Sequence, residues 1–123
     1  MAIRDELDAI NTGFGEAFAT QDAERLAGFY AADARLLFHG QPTIRGRAAV
    51  DAALRDMVEG GPAILRFVTD EVIEDGSLVV DIGRIVGPSS QSKYVVVYQR
   101  QADGSLKILV DAASSDGPQV AQS

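Results

Sequence analysis

The residue best suited to proton chemistry in this sequence is Asp111, in the apolar run LKILVDAA. Alternation along a strand places Leu109 and Ala113 on the same face as Asp111. Apolar surroundings disfavour a charged carboxylate, so we expect a raised pKa and a group able to act as a general acid or base. The alternative is structural: the carboxylate pairs with Arg66, Arg84 or a tyrosine hydroxyl and only fixes the sheet.

His39, the only histidine of the chain, is the second candidate for proton transfer. Histidine often acts as a proton shuttle near neutral pH. The predicted strand from Ala34 to His39 ends just before Gly40, and a bulge there decides which way the imidazole points. The alternative, which we favour, is a rim histidine that caps the strand end, because a base needs suitable geometry first.

The tyrosines Tyr30, Tyr94 and Tyr98 can each present a hydroxyl to a ligand. A tyrosine also packs routinely in a core with its hydroxyl satisfied, and for any single one we favour that interpretation. Arg66 and Asp81 lie within otherwise apolar runs, where an unpaired charge is costly. We therefore expect these two residues to pair with each other or to face solvent.

Composition excludes several kinds of site. The chain has no cysteine and one histidine among its 123 residues, which leaves neither thiol chemistry nor an ordinary zinc site. A net charge of -7, with scattered basic residues, disfavours nucleic acid as a partner. No nucleotide motif is present, so we expect no cofactor. No membrane-spanning apolar segment and no secretory signal are found, so the expected location is cytoplasmic.

Hydrophobic periodicity predicts three helical segments. Apolar residues of the opening segment recur at steps of three and four on one face: Ile3, Leu7, Ile10, Phe14 and Phe18. Asp22 is the predicted N-cap of a short second helix. One face of that helix holds Leu26, Phe29 and Tyr30. The third helix runs from about Arg47 to Glu59, and its buried stripe is Val50, Leu54, Met57 and Val58.

From Ala63 onward the sequence has the pattern of strands. Four long runs are separated by short Gly-, Asp- and Ser-containing turns, which makes the strands antiparallel neighbours. The runs are Ala63 to Ile73, Leu78 to Val86, Lys93 to Gln101 and Leu106 to Ala113. The predicted fold class is α+β, with helices packed against one face of a curved sheet. We expect a single domain over residues 1–115 and a loose tail over residues 116–123.

Two of the predicted strands are apolar on both faces. In KYVVVYQR, Tyr94, Val96 and Tyr98 share one face, while Val95 and Val97 share the other. An antiparallel sheet with one solvated face should alternate apolar with polar residues, so the second apolar face indicates a partner surface. We therefore expect a homodimer that forms through the sheet.

Three motifs resemble the nuclear transport factor 2-like superfamily, and within it the SnoaL-like and ketosteroid-isomerase-like small proteins. They are FATQDAERLAGFYAADARLLF, IRGRAAV, and the terminal DIGR and KYVVVYQRQADGSLKILVDAASS. The resemblance covers roughly Ile3 to Ser115. It implies three helices on a strongly curved antiparallel or mixed sheet that forms a conical barrel. The same barrel serves isomerases, cyclases, dehydratases and non-enzymatic modules, so the resemblance does not by itself assign an activity.

The resemblance also implies where an isomerase would keep its polar groups. These positions correspond to Phe14, Phe38 and Val96, and His39 lies one residue beyond the base position. Apolar side chains supply neither a base nor oxyanion donors, so ketosteroid-type isomerisation by that machinery is disfavoured. In the resemblance, the face that carries Asp111 lines the cavity.

We therefore expect a domain that binds a small hydrophobic organic molecule in a mainly apolar cavity. The alternative is a cofactor-independent acid/base isomerase, cyclase or dehydratase acting on a small hydrophobic carbonyl compound through Asp111. The candidate catalytic residues are Asp111, Tyr98 and His39. The candidate ligand-binding residues are Phe14, Phe18, Tyr30, Phe38, Leu54, Tyr94, Val96, Leu109 and Ala113. We expect no metal, no nucleic acid and no membrane as partners.

Overall fold

The computed structural model describes residues 2–116, which fold as three helices and one six-stranded mixed sheet. The helices are α1 (Ile3–Ala19), α2 (Ala23–Ala27) and α3 (Arg47–Glu59). The strands are β1 (Tyr30–Phe38), β2 (Ile44–Arg45), β3 (Arg66–Asp75), β4 (Leu78–Val86), β5 (Gln91–Arg100) and β6 (Leu106–Ser115). Of the predicted tail, only Asp116 belongs to the described part; residues 117–123 lie outside it.

The sheet has the strand order β2-β1-β6-β5-β4-β3, so its two ends are β2 and β3 and it remains open. Strands β1 and β6 run parallel, whereas the other described neighbours are antiparallel. The predicted α+β class is confirmed. The sheet is mixed because β1, the first strand of the chain, pairs in parallel with β6, the last strand.

Helix α1 forms as the sequence predicts, and it lies across β3. Its face toward the core buries Leu7, Phe14 and Phe18. At the end of α1 the chain turns, and the Asp22 side chain accepts a 3.0 Å hydrogen bond from the Arg25 backbone N–H, which confirms the predicted N-cap. Helix α2 is shorter than expected.

The short α2 changes the position of Tyr30. The expected helical face that includes Phe29 and Tyr30 is wrong, because α2 ends at Ala27 and Tyr30 begins β1. The Ile108 backbone N–H then donates to the Phe29 carbonyl at 2.8 Å. This bond draws the chain into the sheet beside β6 and aims the Tyr30 side chain into the molecule.

Helix α3 has the predicted bounds. It packs mainly against α2, β1 and β2, at the β2 end of the sheet. Leu54 is consequently sealed in the core at 0% exposure and does not reach the cavity described below, contrary to expectation. Met57, expected in the buried stripe, is 41% exposed because it sits on the turn of α3 that overhangs the cavity.

The prediction that Leu109 shares the inner face with Asp111 is wrong, because the β5/β6 pair contains a bulge. Tyr98 pairs with Ile108 and Val97 pairs with Val110, so Leu109 is left without a partner in the register. A single unpaired residue reverses the alternation on the bulged strand. Ile108 therefore joins Asp111 on the inner face, and Leu109 does not line the cavity.

Candidate functional site

A cavity of about 300 Å³ lies between α1 and the inner face of the sheet. Its described wall is mostly apolar and includes seven aromatic side chains: Phe14, Phe18, Tyr30, Phe38, Phe67, Tyr94 and Tyr98. Helix α1 supplies most of the roof, and β5 and β6 supply most of the opposite wall. A concave, mainly apolar cavity with a few polar groups is the usual form of a small-molecule site.

The roof of the cavity is a packed group of rings centred on Phe14. Its ring stacks on Phe29 with a centroid distance of 4.7 Å and lies 5.4 Å from Phe67. Phe67 in turn stacks on Phe18 at 5.9 Å, and the edge of Tyr30 meets Phe14 at 6.0 Å. Tilted and offset ring pairs of this kind are favourable beyond the area that they bury, so the roof is a closely packed apolar surface.

Asp111 is the acidic group of this wall. The Tyr30 hydroxyl donates a 2.7 Å hydrogen bond to its Oδ2. Burial raises the pKa of Asp111 to about 6, although the hydrogen bond from Tyr30 acts in the opposite direction. Neither Arg66 nor Arg84 pairs with it; Arg66 is exposed and Arg84 binds Asp70 at 2.9 Å. The carboxyl is therefore held by a hydroxyl and has no basic partner within residues 2–116.

Tyr98 presents a hydroxyl to the same cavity. The side chain is only 2% exposed, and its hydroxyl makes no hydrogen bond within residues 2–116. Every fully enclosed side-chain nitrogen or oxygen of the described chain has a partner, so this hydroxyl must open onto the cavity. Burial raises the pKa of Tyr98 well above its usual value, which keeps the phenol protonated and able to donate.

The hydroxyl of Tyr94 belongs to a separate hydrogen-bonded chain. Asn11 Nδ2 donates to Thr69 Oγ1 at 2.9 Å, Thr69 Oγ1 lies 3.5 Å from the Tyr94 hydroxyl, and Tyr94 donates to both Asp81 carboxylate oxygens at 3.2 Å. These four residues tie α1 to β3, β4 and β5. Burial raises the pKa of Asp81, while the nearby hydroxyls of Thr69 and Tyr94 act in the opposite direction.

The expected pairing of Asp81 with Arg66, or its exposure to solvent, is wrong. Asp81 is 0% exposed, and its register partners are Val72 and Val96. Gly83 makes room for its hydrogen-bonding partner, because a Cβ at Gly83 would lie 2.5 Å from the Tyr94 hydroxyl oxygen. The sequence signal for this network is thus a glycine in a strand two residues after a buried acid.

The two acidic residues flank Val96 in one row across the sheet. Asp111 on β6 pairs with Val96 on β5, and Val96 pairs with Asp81 on β4. Two strand spacings separate the backbones of the acidic residues by about 10 Å. Val96 lies at the position where the isomerase resemblance implies a carboxyl, so this chain carries its inner carboxyls on the two neighbouring strands instead.

His39 lies at the mouth of the cavity and is exposed. Its backbone N–H donates to the Ala113 carbonyl at 3.3 Å, which continues the β1/β6 ladder one residue beyond β1. Ser92 and Ser114 border the same opening. The structure thus places His39 at the rim of the cavity and Asp111 in its wall.

Sequence reasoning missed several wall residues. Asn11, Met57, Leu65, Phe67, Ile85 and Ile108 all line the cavity in addition to the expected residues. Phe67 could have been found from the alternation of β3, whereas Ile108 could not, because the bulge at Leu109 reverses its face. Two expected wall residues, Leu54 and Leu109, are absent from the described lining.

Residues 2–116 contain neither a cluster of three metal-ligating side chains nor a helix that could span a membrane. No three His, Asp or Glu side chains of this part come together as a metal site. None of its helices has both the length and the apolar character required to cross a bilayer.

The helices over one face of an open mixed sheet, with an apolar cavity between them, define a class of small cone-shaped α+β proteins. The chain belongs to the SnoaL-like domain family, whose model matches residues 12–108. No curated protein sequence matches the chain.

Solved structures share the fold at low sequence identity. A ketosteroid isomerase-like protein from Erwinia carotovora atroseptica is 16% identical with a TM-score of 0.72, over 92% of this chain and 94% of that chain. A candidate dehydratase of the NTF2-like family from Streptomyces avermitilis is 21% identical with a TM-score of 0.71, over 93% and 96%. A candidate calcium/calmodulin-dependent protein kinase type II association domain from Thiobacillus denitrificans is 23% identical with a TM-score of 0.76, over 86% and 91%. Likeness at this level shows the fold alone.

Proposed function

We propose that this protein binds a small, mainly apolar organic molecule in the cavity, with the polar group of the molecule against Asp111 and Tyr98. The observation that carries the proposal is the pair of polar groups with unused hydrogen-bonding capacity on an otherwise apolar wall. Asp111 Oδ2 is bonded to Tyr30, but Oδ1 accepts no hydrogen bond within the described chain. Polar groups without protein partners beside open space are suited to a ligand.

The cavity volume limits the size of the ligand. About 300 Å³ lies at the lower end of the range for small-molecule sites. Phe14 packs on both Phe29 and Phe67, so enlarging the cavity on that side would break these ring contacts. A compound with one or two rings is therefore favoured over a larger polycyclic one.

Acid/base catalysis is the second candidate function, and the specific observation in its favour is the pKa of about 6 at Asp111. A carboxylate with that pKa accepts a proton near neutral pH more readily than an ordinary aspartate. Asp111 would remove a proton from carbon next to a carbonyl and return it to another carbon of the same molecule. Tyr98 would donate a hydrogen bond to the enolate oxygen meanwhile.

The names of two structural neighbours, an isomerase-like protein and a candidate dehydratase, agree with such chemistry. The sequence argues against the isomerase machinery itself, since Phe14, Phe38 and Val96 occupy the places of its polar groups. Binding is the better supported function because it requires only the cavity and its unpaired polar atoms. Catalysis further requires Asp111 and Tyr98 to reach one substrate together.

A thermal-shift screen of one- and two-ring compounds tests the proposal, because a ligand that binds only the folded state raises the melting temperature. The screen uses the wild type and Asp111→Asn. Asp56→Asn is the matched control, since Asp56 is an exposed residue of α3 away from the cavity. We expect some compounds to raise the melting temperatures of the wild type and Asp56→Asn equally. The same compounds should raise the melting temperature of Asp111→Asn less.

Two outcomes would contradict parts of the proposal. If no compound raises the melting temperature of the wild type, the binding function is wrong. If every stabilising compound raises the melting temperature of all three proteins equally, Asp111 does not contact the ligands and the catalytic alternative is also lost. Turnover of a stabilising carbonyl compound by the wild type, but not by Asp111→Asn, would favour catalysis over binding alone.

A further inference from the structure

The charge of the cavity wall limits the ligands that it can accept. Among the described lining residues, the side chains that can carry charge are Asp111 and, at the mouth, His39; the others that titrate are the tyrosines Tyr30, Tyr94 and Tyr98. No lysine or arginine lines the cavity in residues 2–116. A carboxylate or phosphate ligand would therefore approach Asp111 with no described lysine or arginine in the wall to offset the repulsion.

Asp111 itself has no counter-charge among the described residues. Tyr30 supplies one neutral hydrogen bond to Oδ2, and Oδ1 has none within the described chain. Burying a carboxylate without a cation is unfavourable, and this desolvation is the main cause of its raised pKa. A ligand that brings a positive charge and a donor to Oδ1 supplies what the protein omits, and a charge-assisted hydrogen bond is about twice as strong as a neutral one.

The aromatic wall suits the same kind of ligand. Aromatic rings attract a cation over their faces, and Phe14, Phe18, Phe67 and Tyr30 surround the cavity that Asp111 borders. The Tyr98 oxygen is a further acceptor open to the cavity. A protonated amine carries up to three donors and no acceptor, so its chemistry matches both of these acceptors, Asp111 Oδ1 and the Tyr98 oxygen.

We propose that the cavity binds a hydrophobic amine in its protonated form, with the ammonium group at Asp111 and the carbon skeleton among the aromatic side chains. This inference rests on the proposed binding function and specifies its ligand class. The same site should reject carboxylates and phosphates of the same size.

Three compounds with one skeleton test the charge preference directly: 3-phenylpropylamine, 3-phenylpropanol and 3-phenylpropanoate. Isothermal titration calorimetry at pH 7.5 compares their dissociation constants for the wild type. We expect the amine to bind at least about tenfold more tightly than the alcohol, and the carboxylate to bind more weakly than either. Asp111→Asn keeps the size of the side chain, and we expect it to remove the preference for the amine while changing alcohol binding by less than about threefold.

The pH dependence supplies a second readout. With a pKa of about 6, the ionised fraction of Asp111 falls to about a tenth at pH 5, so amine binding should weaken about tenfold between pH 7.5 and pH 5. Tyr30, Tyr94 and Tyr98 stay neutral in this range because their pKa values are raised. Asp81, behind Tyr94, and His39, at the mouth, remain as other sources of a pH effect.

Asp111→Asn separates these sources, because both Asp81 and His39 remain in that variant. The proposal is overturned if the alcohol or the carboxylate binds as tightly as the amine, or if the amine preference or its pH dependence persists in Asp111→Asn. Tight binding of the alcohol alone would leave the binding function intact and refute only the amine class. If none of the three binds and the compound screen is also negative, both proposals fail.

Discussion

The Tyr30 hydroxyl and the Asp111 carboxyl form a 2.7 Å hydrogen bond between residues that lie 81 positions apart in the chain. Tyr30 begins β1, and Asp111 lies on β6, the strand that pairs in parallel with β1. The bond therefore exists only when the first and last strands have joined. It places a carboxyl with a pKa of about 6 in the wall of an aromatic cavity.

Replacing Asp111 with asparagine should change how stability depends on pH. The folded-state pKa of about 6 exceeds the unfolded value of about 3.9, so between these values the folded state holds more protons and loses stability as pH rises. Relative to Asp111→Asn, the wild type should lose about 2 kcal/mol between pH 4 and pH 7.5. Urea unfolding of both proteins across this range measures the difference. A constant difference would show that Asp111 does not have the raised pKa.

Removing the Tyr30 hydroxyl should raise the pKa of Asp111 further, because that hydrogen bond favours the ionised carboxyl. In Tyr30→Phe we expect the midpoint of the Asp111 carboxyl signal in ¹³C NMR to move above about 6. Tyr98→Phe is the matched control, since Tyr98 makes no hydrogen bond to Asp111. Equal midpoints in the wild type and Tyr30→Phe would refute the role of the hydroxyl.

Gly83→Ala should be strongly destabilising. The added Cβ would lie 2.1 Å from the Val68 carbonyl oxygen and 2.5 Å from the Tyr94 hydroxyl oxygen, so both β3 and the bond to Asp81 must shift. We expect a loss of more than about 2 kcal/mol in the free energy of unfolding. Gly60→Ala is the control, because its new Cβ meets nothing closer than 3.9 Å. Equal stability of the two variants would contradict the packing.

We propose that the outer face of the sheet joins two copies of the chain. A cross-strand row of apolar residues, Leu37, Ala112, Val95 and Ile82, runs over β1, β6, β5 and β4. Leu37 and Val95 are 41% and 42% exposed, and a contiguous row of exposed apolar side chains is typical of a protein–protein interface. Light scattering after size exclusion should give twice the 13.0 kDa chain mass.

Val95→Lys should convert that dimer to a monomer, because it places a charge at the centre of the apolar row. Ile64→Lys is the matched control, since Ile64 is 72% exposed and lies outside the sheet. A monomeric wild type at micromolar concentration, or a dimer unaffected by Val95→Lys, would refute an interface at this face.

Much of the fold follows from local patterns in the sequence. The bounds of α3 and β4 agree with the predicted segments because each has an uninterrupted period and clear turn residues at its ends. The parallel pairing of β1 with β6 was not predictable in this way, since it depends on where the last strand docks. The predicted α2 is too long because Phe29 and Tyr30 continue its apolar spacing, although Phe29 lies in the turn after α2 and Tyr30 begins β1.

The candidate site was predictable to the extent that simple alternation holds. Asp111 and Ala113 lie on the expected inner face because the strand is regular beyond Val110. The predicted inner face for Leu109 is wrong, because no residue type in this strand indicates the bulge. Asp81 was expected to pair with Arg66, whereas a tyrosine hydroxyl from the neighbouring strand satisfies it.

A crystal structure with the most stabilising compound of the screen would locate the ligand itself. We expect the compound to fill the cavity beneath Phe14 and Phe67, with its polar atom about 3 Å from Asp111 Oδ1. A compound bound outside the cavity, or inside it with its polar atom turned away from Asp111, would refute the proposed binding site.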